Sequence, residues 1–226
     1  MGDLLTAAEM RQVEQAAIQG GSVTGLELME RAGRGVVEAV FQTWPGLSEG
    51  ADRRAVVLCG PGNNGGDGFV IARLLHDLGW AIDVYLLGDA TRLPADARAN
   101  HDRWDRIGAV RPIASAELDH GPAPDLVIDA LFGTGLARPV QGLAAVQLVL
   151  NDWHAGIGGP VIVAVDVPSG LCSDSGRYLG YGADEHPLDT SIRADLTVTF
   201  HTAKPGHYLD LGPAACGTLV IKEIGL

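Results

Sequence analysis

Three aspartates follow apolar runs of the sequence, and their spacing could support proton transfer or cation binding. Asp67 lies in "GPGNNGGDGF", Asp129 in "VIDALFGTG" and Asp166 in "VAVDVPSG". Because ligands of doubly wound sheets bind outside the carboxyl ends of the strands, we expect the three carboxyl groups to share one crevice. Three acids in one crevice repel each other. Either one of them is protonated through a raised pKa, or a cation lies among them.

The first of these stretches combines a glycine-rich turn with an acid. The G-x-G-x-x-G spacing that begins at Gly60 follows a predicted strand, and a helix is predicted from Asp67. A carboxylate there occupies the position of a pyrophosphate, so we expect Asp67 to face sugar hydroxyls, a cation or a neutral polar group. Asn63 and Asn64 add amide donors and acceptors. The alternative is that Asp67 only caps the helix and the glycines only form a turn.

The second loop, "ALFGTGLARPV", is the better candidate for a phosphate cradle. Gly133, Thr134 and Gly135 expose backbone N–H groups, and Arg138 could make charge-assisted hydrogen bonds to phosphate. Near the C-terminus, Lys204 could meet a phosphate or balance the acids; a solvated lysine is the alternative. In the same way, strand-end aspartates could simply hydrogen-bond their own turns. Carboxylate, amide and hydroxyl oxygens together suit a hard cation rather than a transition metal.

Apolar runs alternating with helical segments predict an α/β fold: a doubly wound, mostly parallel sheet with helices on both faces, a Rossmann-like three-layer sandwich. We expect one domain over residues 1–226, in which two N-terminal helices, from Thr6 and Leu26, pack together. Strands are predicted at 55–60, 81–88, 110–113, 125–131, 160–167, 194–200 and 217–224. Further helices are predicted at 67–78, 95–107 and 142–154. Residues 174–193 are interpreted as a long surface loop near the site, either a lid or a disordered insertion.

Charge and composition exclude several kinds of partner. A formal net charge of −12, with only 16 Lys and Arg, argues against nucleic acid. No stretch approaches the length of a membrane span, and the N-terminus lacks a signal-peptide pattern, so we expect neither membrane association nor export. Three cysteines without CxxC spacing indicate neither a disulfide framework nor a zinc site and are typical of the reducing cytoplasm.

Four ordered stretches resemble the NAD(P)H-hydrate epimerase family: "GPGNNGGDGFVIARLL", "VIDALFGTGLARPV", "VAVDVPSGL" and "ADLTVTFHTAKPG". The resemblance runs nearly from end to end of the chain. It implies one potassium ion per subunit, held by Asn64, Asp129 and Ser169. It also implies substrate contacts at Asn63, Asn64, Gly65, Gly66, Asp67, Gly133, Thr134, Gly135, Leu136, Ala137, Arg138, Pro139 and Asp166. Our interpretation of the residues adds Lys204 to this set.

The activity that the resemblance implies is interconversion of the R and S forms of hydrated NADH or NADPH. The substrate carries a hydroxyl group on the carbon next to the ring nitrogen, and inversion needs proton transfer to and from that oxygen. We expect Asp166 to be the acid/base, with Asp67 as the second candidate. The resemblance further implies a homodimer, and fusion to or cooperation with an ATP- or ADP-dependent dehydratase.

Two other classes of function stay open on the sequence. A non-catalytic nucleotide- or protein-binding module could keep the fold, although it would have little need for Asp166, Asn64 and Ser169 together. An NAD-dependent dehydrogenase would use the glycine spacing together with an acid such as Asp83 or Asp89, but the acid within the loop disfavours it. The preference between NADH and NADPH stays open.

Overall fold

Seven strands form one sheet in the part of the chain that the structure, a computed structural model, describes: residues 3–49, 52–113, 123–140, 144–155, 158–180 and 191–226. The strands are β1 (Arg54–Cys59), β2 (Ala81–Leu86), β3 (Val110–Pro112), β4 (Leu126–Ala130), β5 (Val161–Val165), β6 (Leu196–Phe200) and β7 (Thr218–Lys222). Every neighbouring pair is parallel, in the order β3-β2-β1-β4-β5-β6-β7. All seven predicted strands are confirmed.

The helices over the described residues are α1 (Ala7–Gln19), α2 (Gly25–Thr43), α3 (Asn63–Asp77), α4 (Ala95–Trp104), α5 (Ala144–Ala155) and α6 (Gly212–Cys216). Two capping boxes define the first two: Thr6 pairs with Glu9, and Thr24 pairs with Glu27. None of these helices is both long and apolar enough to cross a bilayer.

Side-chain alternation along β1 divides the interior into two cores. Ala55, Val57 and Cys59 face a large cluster that also contains apolar residues of α2, α3 and α4. Val56 and Leu58 face the opposite way, into a cluster that includes residues of α5. Successive side chains of a strand point to opposite faces, so a strand buried on both faces reads as continuously apolar. The three-layer sandwich with helices on both faces is therefore confirmed.

The strand order places a crevice between β1 and β4. From β1 the chain proceeds to β2 and β3 on one side, and it returns to lay β4 against the other side of β1. Loops that leave the carboxyl ends of these two strands diverge, which opens the space where doubly wound folds bind ligands. The loops after β1, β4 and β5 carry the motifs that the sequence analysis selected.

Helix α3 begins four residues earlier than predicted, at Asn63 rather than Asp67. The stretch "NNGGD" is the first turn of the helix, and its glycines do not have positive φ. They are needed for close approach instead: a Cβ at Gly65 would lie 2.0 Å from the carbonyl oxygen of Gly60, and one at Gly66 would lie 2.4 Å from Met29 Sδ in α2. Tertiary contacts therefore account for residues that locally predict a turn.

The expected packing of the two N-terminal helices against each other needs correction, and the predicted surface loop at 174–193 lies partly outside the described residues. Helix α2 packs chiefly against α3 rather than against α1; a Cβ at Gly33 would lie 2.5 Å from Val70, so glycine allows the close approach. In the predicted surface loop, residues 181–190 lie outside the described part. The described flanks are anchored, because Tyr178 is buried and its hydroxyl donates to the carbonyl of Ile192.

We predict that Gly65→Ala destabilises the protein. This is the opposite of the effect of helix propensity alone, which favours alanine over glycine by about 1 kcal/mol in a helix. The new methyl group would overlap the Gly60 carbonyl, and this overlap outweighs the propensity gain. We expect a net loss of about 2 kcal/mol, or roughly 4–8 °C in Tm, measured by thermal unfolding. The control is Gly46→Ala, where no atom lies within 4 Å of the added Cβ. Equal melting temperatures for the two variants would contradict the packing role of Gly65.

Candidate active site

A cleft of about 390 Å³ opens at the carboxyl ends of the strands, beside the crevice between β1 and β4. Its size is within the range of small-molecule binding sites. Its walls come from α1, from the loop and first turns that follow β1, from the loops after β4 and β5, and from the end of β6. The lining residues are Arg11, Glu14, Pro61, Gly62, Asn63, Asn64, Asp67, Leu131, Phe132, Gly133, Thr134, Gly135, Leu136, Asp166 and Phe200.

Asp166 lies directly after β5, and both of its carboxylate oxygens are hydrogen-bonded. Oδ2 accepts from the backbone N–H of Thr134 at 2.9 Å, and Oδ1 accepts from the hydroxyl of Thr199 at 2.9 Å. The Lys204 ammonium lies 2.9 Å from Oδ1. The Asp166 side chain therefore joins the loops after β4 and β6, and it faces the cleft from a nearly buried position.

The charge of Asp166 is set by Lys204. Burial by itself raises the pKa of Asp166, but the adjacent ammonium and the hydrogen bonds from Lys204 and Thr134 outweigh it and lower the pKa to about 2. Lys204 is only 1% exposed, and its Nζ also donates to Thr199 Oγ1 at 2.7 Å and to the carbonyl of Phe200 at 3.1 Å. Asp166 is consequently a carboxylate at neutral pH.

The backbone of Asp166 is held in a left-handed conformation by His207. Asp166 has φ of 70°, which is unfavourable for a residue with a Cβ. His207 Nε2 donates to the carbonyl of Asp166 at 2.9 Å, while Nδ1 accepts from the backbone N–H of Lys204 at 3.0 Å. These partners require the neutral tautomer, and burial, the largest cause, lowers the pKa of His207. The histidine thus fixes Asp166 without adding charge to the site.

Asp67, in the first turns of α3, has the opposite electrostatic environment. Burial raises its pKa well above the ordinary value, and the carboxylates of Asp166 and Glu14 raise it further. Asp67 therefore favours the protonated form. Three carboxyl groups line the cleft, those of Glu14, Asp67 and Asp166, and the last two favour opposite protonation states. Pairs of this kind are the usual basis of acid and base roles in enzymes.

Asp129 lies inside β4, beneath the cleft rather than in its wall. It is fully buried, and its oxygens accept from Ser169: from the hydroxyl at 2.6 Å and from the backbone N–H at 2.8 Å. Burial raises the pKa of Asp129 to about 6, against the lowering effect of these hydrogen bonds. Asp67 and Asp166 thus share the cleft as predicted, whereas Asp129 does not line it.

The residues expected to hold a cation offer suitable oxygen donors. Asn64 and Asp166 approach the same point, since a Cβ on Gly133 would lie 3.0 Å from Asn64 Oδ1 and 2.9 Å from Asp166 Oδ2. The Nδ2 atom of Asn64 is buried and has no hydrogen-bond partner. Because amide oxygen and nitrogen have nearly the same shape, a half-turn of the side chain places a carbonyl oxygen there. The buried carboxylate of Asp129, the hydroxyl of Ser169 and the amide oxygen of Asn64 are all oxygen donors, the type of ligand that a hard cation prefers.

The predicted phosphate cradle is divided by the structure. Its first half, Gly133 to Leu136, lines the cleft, although the Thr134 N–H already bonds Asp166. Ala137, Arg138 and Pro139 are exposed and outside the cleft lining. Lys204 is buried and forms an ion pair with Asp166, so of the alternatives considered, balancing the acids is the one that its position supports. Contact between Lys204 and the substrate stays a prediction.

Sequence reasoning missed four residues that build the site. Arg11 and Glu14 line the cleft from α1, and their i, i+3 spacing on an amphipathic helix was the available signal. Thr199 interrupts the apolar run of β6, which marks a buried polar role. His207 gave no signal beyond its nearness to Lys204.

The acids that a dehydrogenase would use for ribose binding are already engaged. Asp83 forms ion pairs with Arg54 at 2.7 Å and with Arg111 at 2.9 Å. Asp89 accepts from the backbone N–H and the hydroxyl of Thr91 and so caps a short 3₁₀ helix. This weighs against the dehydrogenase alternative.

The fold and the cleft define the class: a doubly wound α/β protein with an acid-lined cleft near the point where the strand order reverses. A crystal structure of a yeast protein superimposes with a TM-score of 0.71 at 22% identity, covering 92% of this chain and 85% of that chain, and it supports the fold. Residues 25–206 match the family described as "YjeF-related protein N-terminus", and the chain belongs to this family.

Relatives of this chain carry names that specify a reaction. A protein of Rhodobacter capsulatus named NAD(P)H-hydrate epimerase is 49% identical over 228 residues, and one of Roseobacter litoralis with the same name is 47% identical over 242 residues; both alignments cover 100% of each chain. A bifunctional NAD(P)H-hydrate repair enzyme of Moorella thermoacetica is 37% identical over 99% of this chain and 40% of its own length.

We predict that Lys204→Met lowers the free energy of unfolding by about 3–5 kcal/mol at pH 7, because it leaves a buried carboxylate without its counter-charge. In the parent protein the pKa of Asp166, about 2 against the ordinary 3.8, contributes stability that is present above pH 4 and lost as the pH falls toward 2. In the variant, burial raises that pKa instead, so the stability deficit shrinks on acidification. Urea unfolding at pH 7.5, 5.5 and 4 measures this trend.

Lys222→Met provides the matched control for Lys204→Met. Lys222 lies 3.5 Å from the exposed Glu38, and we expect its removal to cost less than about 1 kcal/mol. The double variant Lys204→Met, Asp166→Asn should recover part of the lost stability, because no buried charge then remains unpaired. Equal losses for Lys204→Met and Lys222→Met would contradict the coupling of Lys204 to Asp166.

Proposed function

We propose that this protein is an NAD(P)H-hydrate epimerase, an isomerase that interconverts the two epimers of hydrated NADH or NADPH. Full-length relatives at 47–49% identity carry this name, which weighs against a non-catalytic binding module. The observation that carries the proposal is the pairing of Asp166, a carboxylate, with Asp67, an acid, in the wall of one cleft.

The proposed reaction inverts a carbinolamine carbon by two proton transfers. Asp67 donates its proton to the substrate hydroxyl, and the carbon–oxygen bond breaks as the ring nitrogen supplies its lone pair, giving water and an iminium ion. Water then adds to the other face of that carbon and loses a proton to the Asp166 carboxylate. The released water returns this proton to Asp67, so atoms and charges balance. Ring opening to an aldehyde and reclosure needs the same donor and acceptor.

Potassium is part of the proposal, with Asn64, Asp129 and Ser169 as its ligands. When bound, a monovalent cation supplies positive charge that stabilises the buried Asp129 carboxylate, whose pKa burial otherwise raises to about 6. The partnerless amide nitrogen of Asn64 supports the proposal, because a buried unpaired amide costs about 1–3 kcal/mol. These three residues then fix the loop after β5 relative to α3.

We place the reaction in the cytoplasm as part of the proposal. Cys59, Cys172 and Cys216 are free, and the first and last are buried, which suits a cytoplasmic protein. The bifunctional names of several relatives suggest a dehydratase as the enzyme that works beside this one. A homodimer stays a prediction, as does the preference between NADH and NADPH.

We predict that Asp166→Asn slows interconversion of the epimers by about 10²–10⁴-fold, because the amide cannot accept the proton. Asp67→Asn should cause a loss of similar size through removal of the acid. The measurement starts from the purified R epimer of hydrated NADH and follows the S epimer by chromatography. Asp152→Asn, an exposed change on α5, is the control. If Asp166→Asn retained the rate of the parent protein, the proposed role of Asp166 would be wrong.

We predict that potassium chloride raises Tm, because a ligand that binds only the folded state stabilises it by about 2.7 kcal/mol at 100 times its Kd. Choline chloride at the same ionic strength should not reproduce the effect. Asp129→Asn and Ser169→Ala should each abolish the potassium response. Asp125→Asn, which removes a carboxylate just before β4 where it pairs with Arg53, should keep it. A potassium response in Asp129→Asn equal to that of the parent would refute the cation site.

A further inference from the structure

Glu14 reaches the cleft from a helix that lies outside the region of the family match. That match begins at residue 25, whereas α1 ends at Gln19. Helix α1 is nevertheless fixed to the carboxyl edge of the sheet. The Ala7 N–H donates to the Asp174 carboxylate at 2.7 Å, and the Leu5 N–H donates to the carbonyl of Ala203 at 3.3 Å. The position of Glu14 is therefore tied to the loops that follow β5 and β6.

Glu14 stands where the main cleft meets a second cavity. This side pocket of about 120 Å³ has both polar and apolar walls: Leu28, Met29 and Ile224 contribute apolar surface, and Asp96 contributes a further carboxyl group. The two cavities share Glu14, Asn63, Asp67 and Phe200. The shared boundary thus combines two carboxyl groups, an amide and an aromatic ring in one place.

The substrate ring has to lie at this boundary if the proposed function holds. Proton transfer requires the substrate hydroxyl oxygen within hydrogen-bonding reach of Asp67, and Asp67 borders both cavities. In this binding mode the ring lies among Asp67, Phe200 and Glu14, which line both cavities. Loss of hydroxide gives that ring a positive charge, which carboxylates and an aromatic face both stabilise.

The charges around Glu14 would favour a cation bound next to it. Burial raises the pKa of Glu14, and the Asp166 carboxylate raises it further, while Lys204 and Arg11 oppose this. Asp166 already has the buried Lys204 as its counter-ion. The cations that act on Glu14 are Lys204, which is already paired with Asp166, and the exposed Arg11 one helical turn away, so a ring cation would relieve repulsion between carboxyl groups at the boundary.

We propose that Glu14 contacts the substrate ring at the boundary between the two cavities and stabilises the iminium cation formed when the hydroxyl group leaves. The inference rests on the proposed function for its chemistry and on the placement of α1 for its geometry. It adds to the site a residue from a helix outside the family match.

The test uses the permanent charge of oxidised nicotinamide as a stable mimic of the iminium ion. Dissociation constants of NAD⁺ and NADH are measured by calorimetry for the parent, Glu14→Gln, Glu14→Asp and the control Glu38→Gln, which lies on α2 beside Lys222. We expect Glu14→Gln to weaken NAD⁺ binding about 5–10-fold relative to NADH, as loss of one charge contact in a partly solvated site predicts. Glu14→Asp should restore most of the ratio, and Glu38→Gln should leave it unchanged.

Kinetics provide the second measurement. Glu14→Gln should lower kcat for epimerisation about tenfold or more with little change in KM, because the cation exists only along the reaction path. Equal weakening of NAD⁺ and NADH, as expected if Glu14 bound ribose hydroxyls, would overturn the proposal, and so would an unchanged kcat. Absence of epimerisation in the parent protein would instead refute the proposed function, while the NAD⁺ to NADH ratio would still test the contact.

Discussion

The buried ion pair between Lys204 and Asp166 is the constraint on which the site depends. An isolated carboxylate at the end of a buried strand is too costly to keep ionised, and an isolated buried lysine is equally unfavourable. Together they are tolerated because Thr199 and the Thr134 N–H complete the hydrogen bonding of the pair. The left-handed backbone of Asp166, held by His207, adds strain of the kind that folds retain at functional positions. The carboxyl group of Asp166 thereby joins its own loop after β5 to the loop after β4, to β6 and to the loop after β6.

Asp166 and Asp67 have opposite pKa shifts because only Asp166 is paired with a lysine. Lys204 lies on the Asp166 side, so the negative charge is fixed there. Asp67 has no such partner among the causes that shift its pKa, and each of those causes favours its protonated form. Burial first, and then repulsion from the carboxyl groups of Asp166 and Glu14, therefore raise the pKa of Asp67. The opposite charge states follow from which loop carries the lysine, not from any difference between the two aspartates themselves.

Local patterns predicted the architecture, because strands buried on both faces are continuously apolar and their ends are marked by glycine, proline and aspartate. The sequence also indicated Asp67 and Asp166 as neighbours, since carboxyl ends of parallel strands share an edge. It could not predict that α3 begins at Asn63, because the need for glycine in its first turn comes from groups outside the helix, the Gly60 carbonyl in the turn after β1 and Met29 in α2. The burial of Lys204 and the approach of Glu14 likewise depend on contacts between segments distant in the chain.

The start of α3 also explains how a dinucleotide-like glycine spacing can accommodate its own acid. With the helix beginning at Asn63, Asp67 lies one turn inside it and faces the cleft from the side of the helix. The first N–H groups, at the positive end of the helix, are left for an electronegative group of a ligand. In a pyrophosphate fingerprint, glycine on this turn lets the backbone approach the phosphates closely. In the proposed mechanism, Asp67 supplies the proton donor from the same turn, and the glycines beside it preserve the close approach of the backbone.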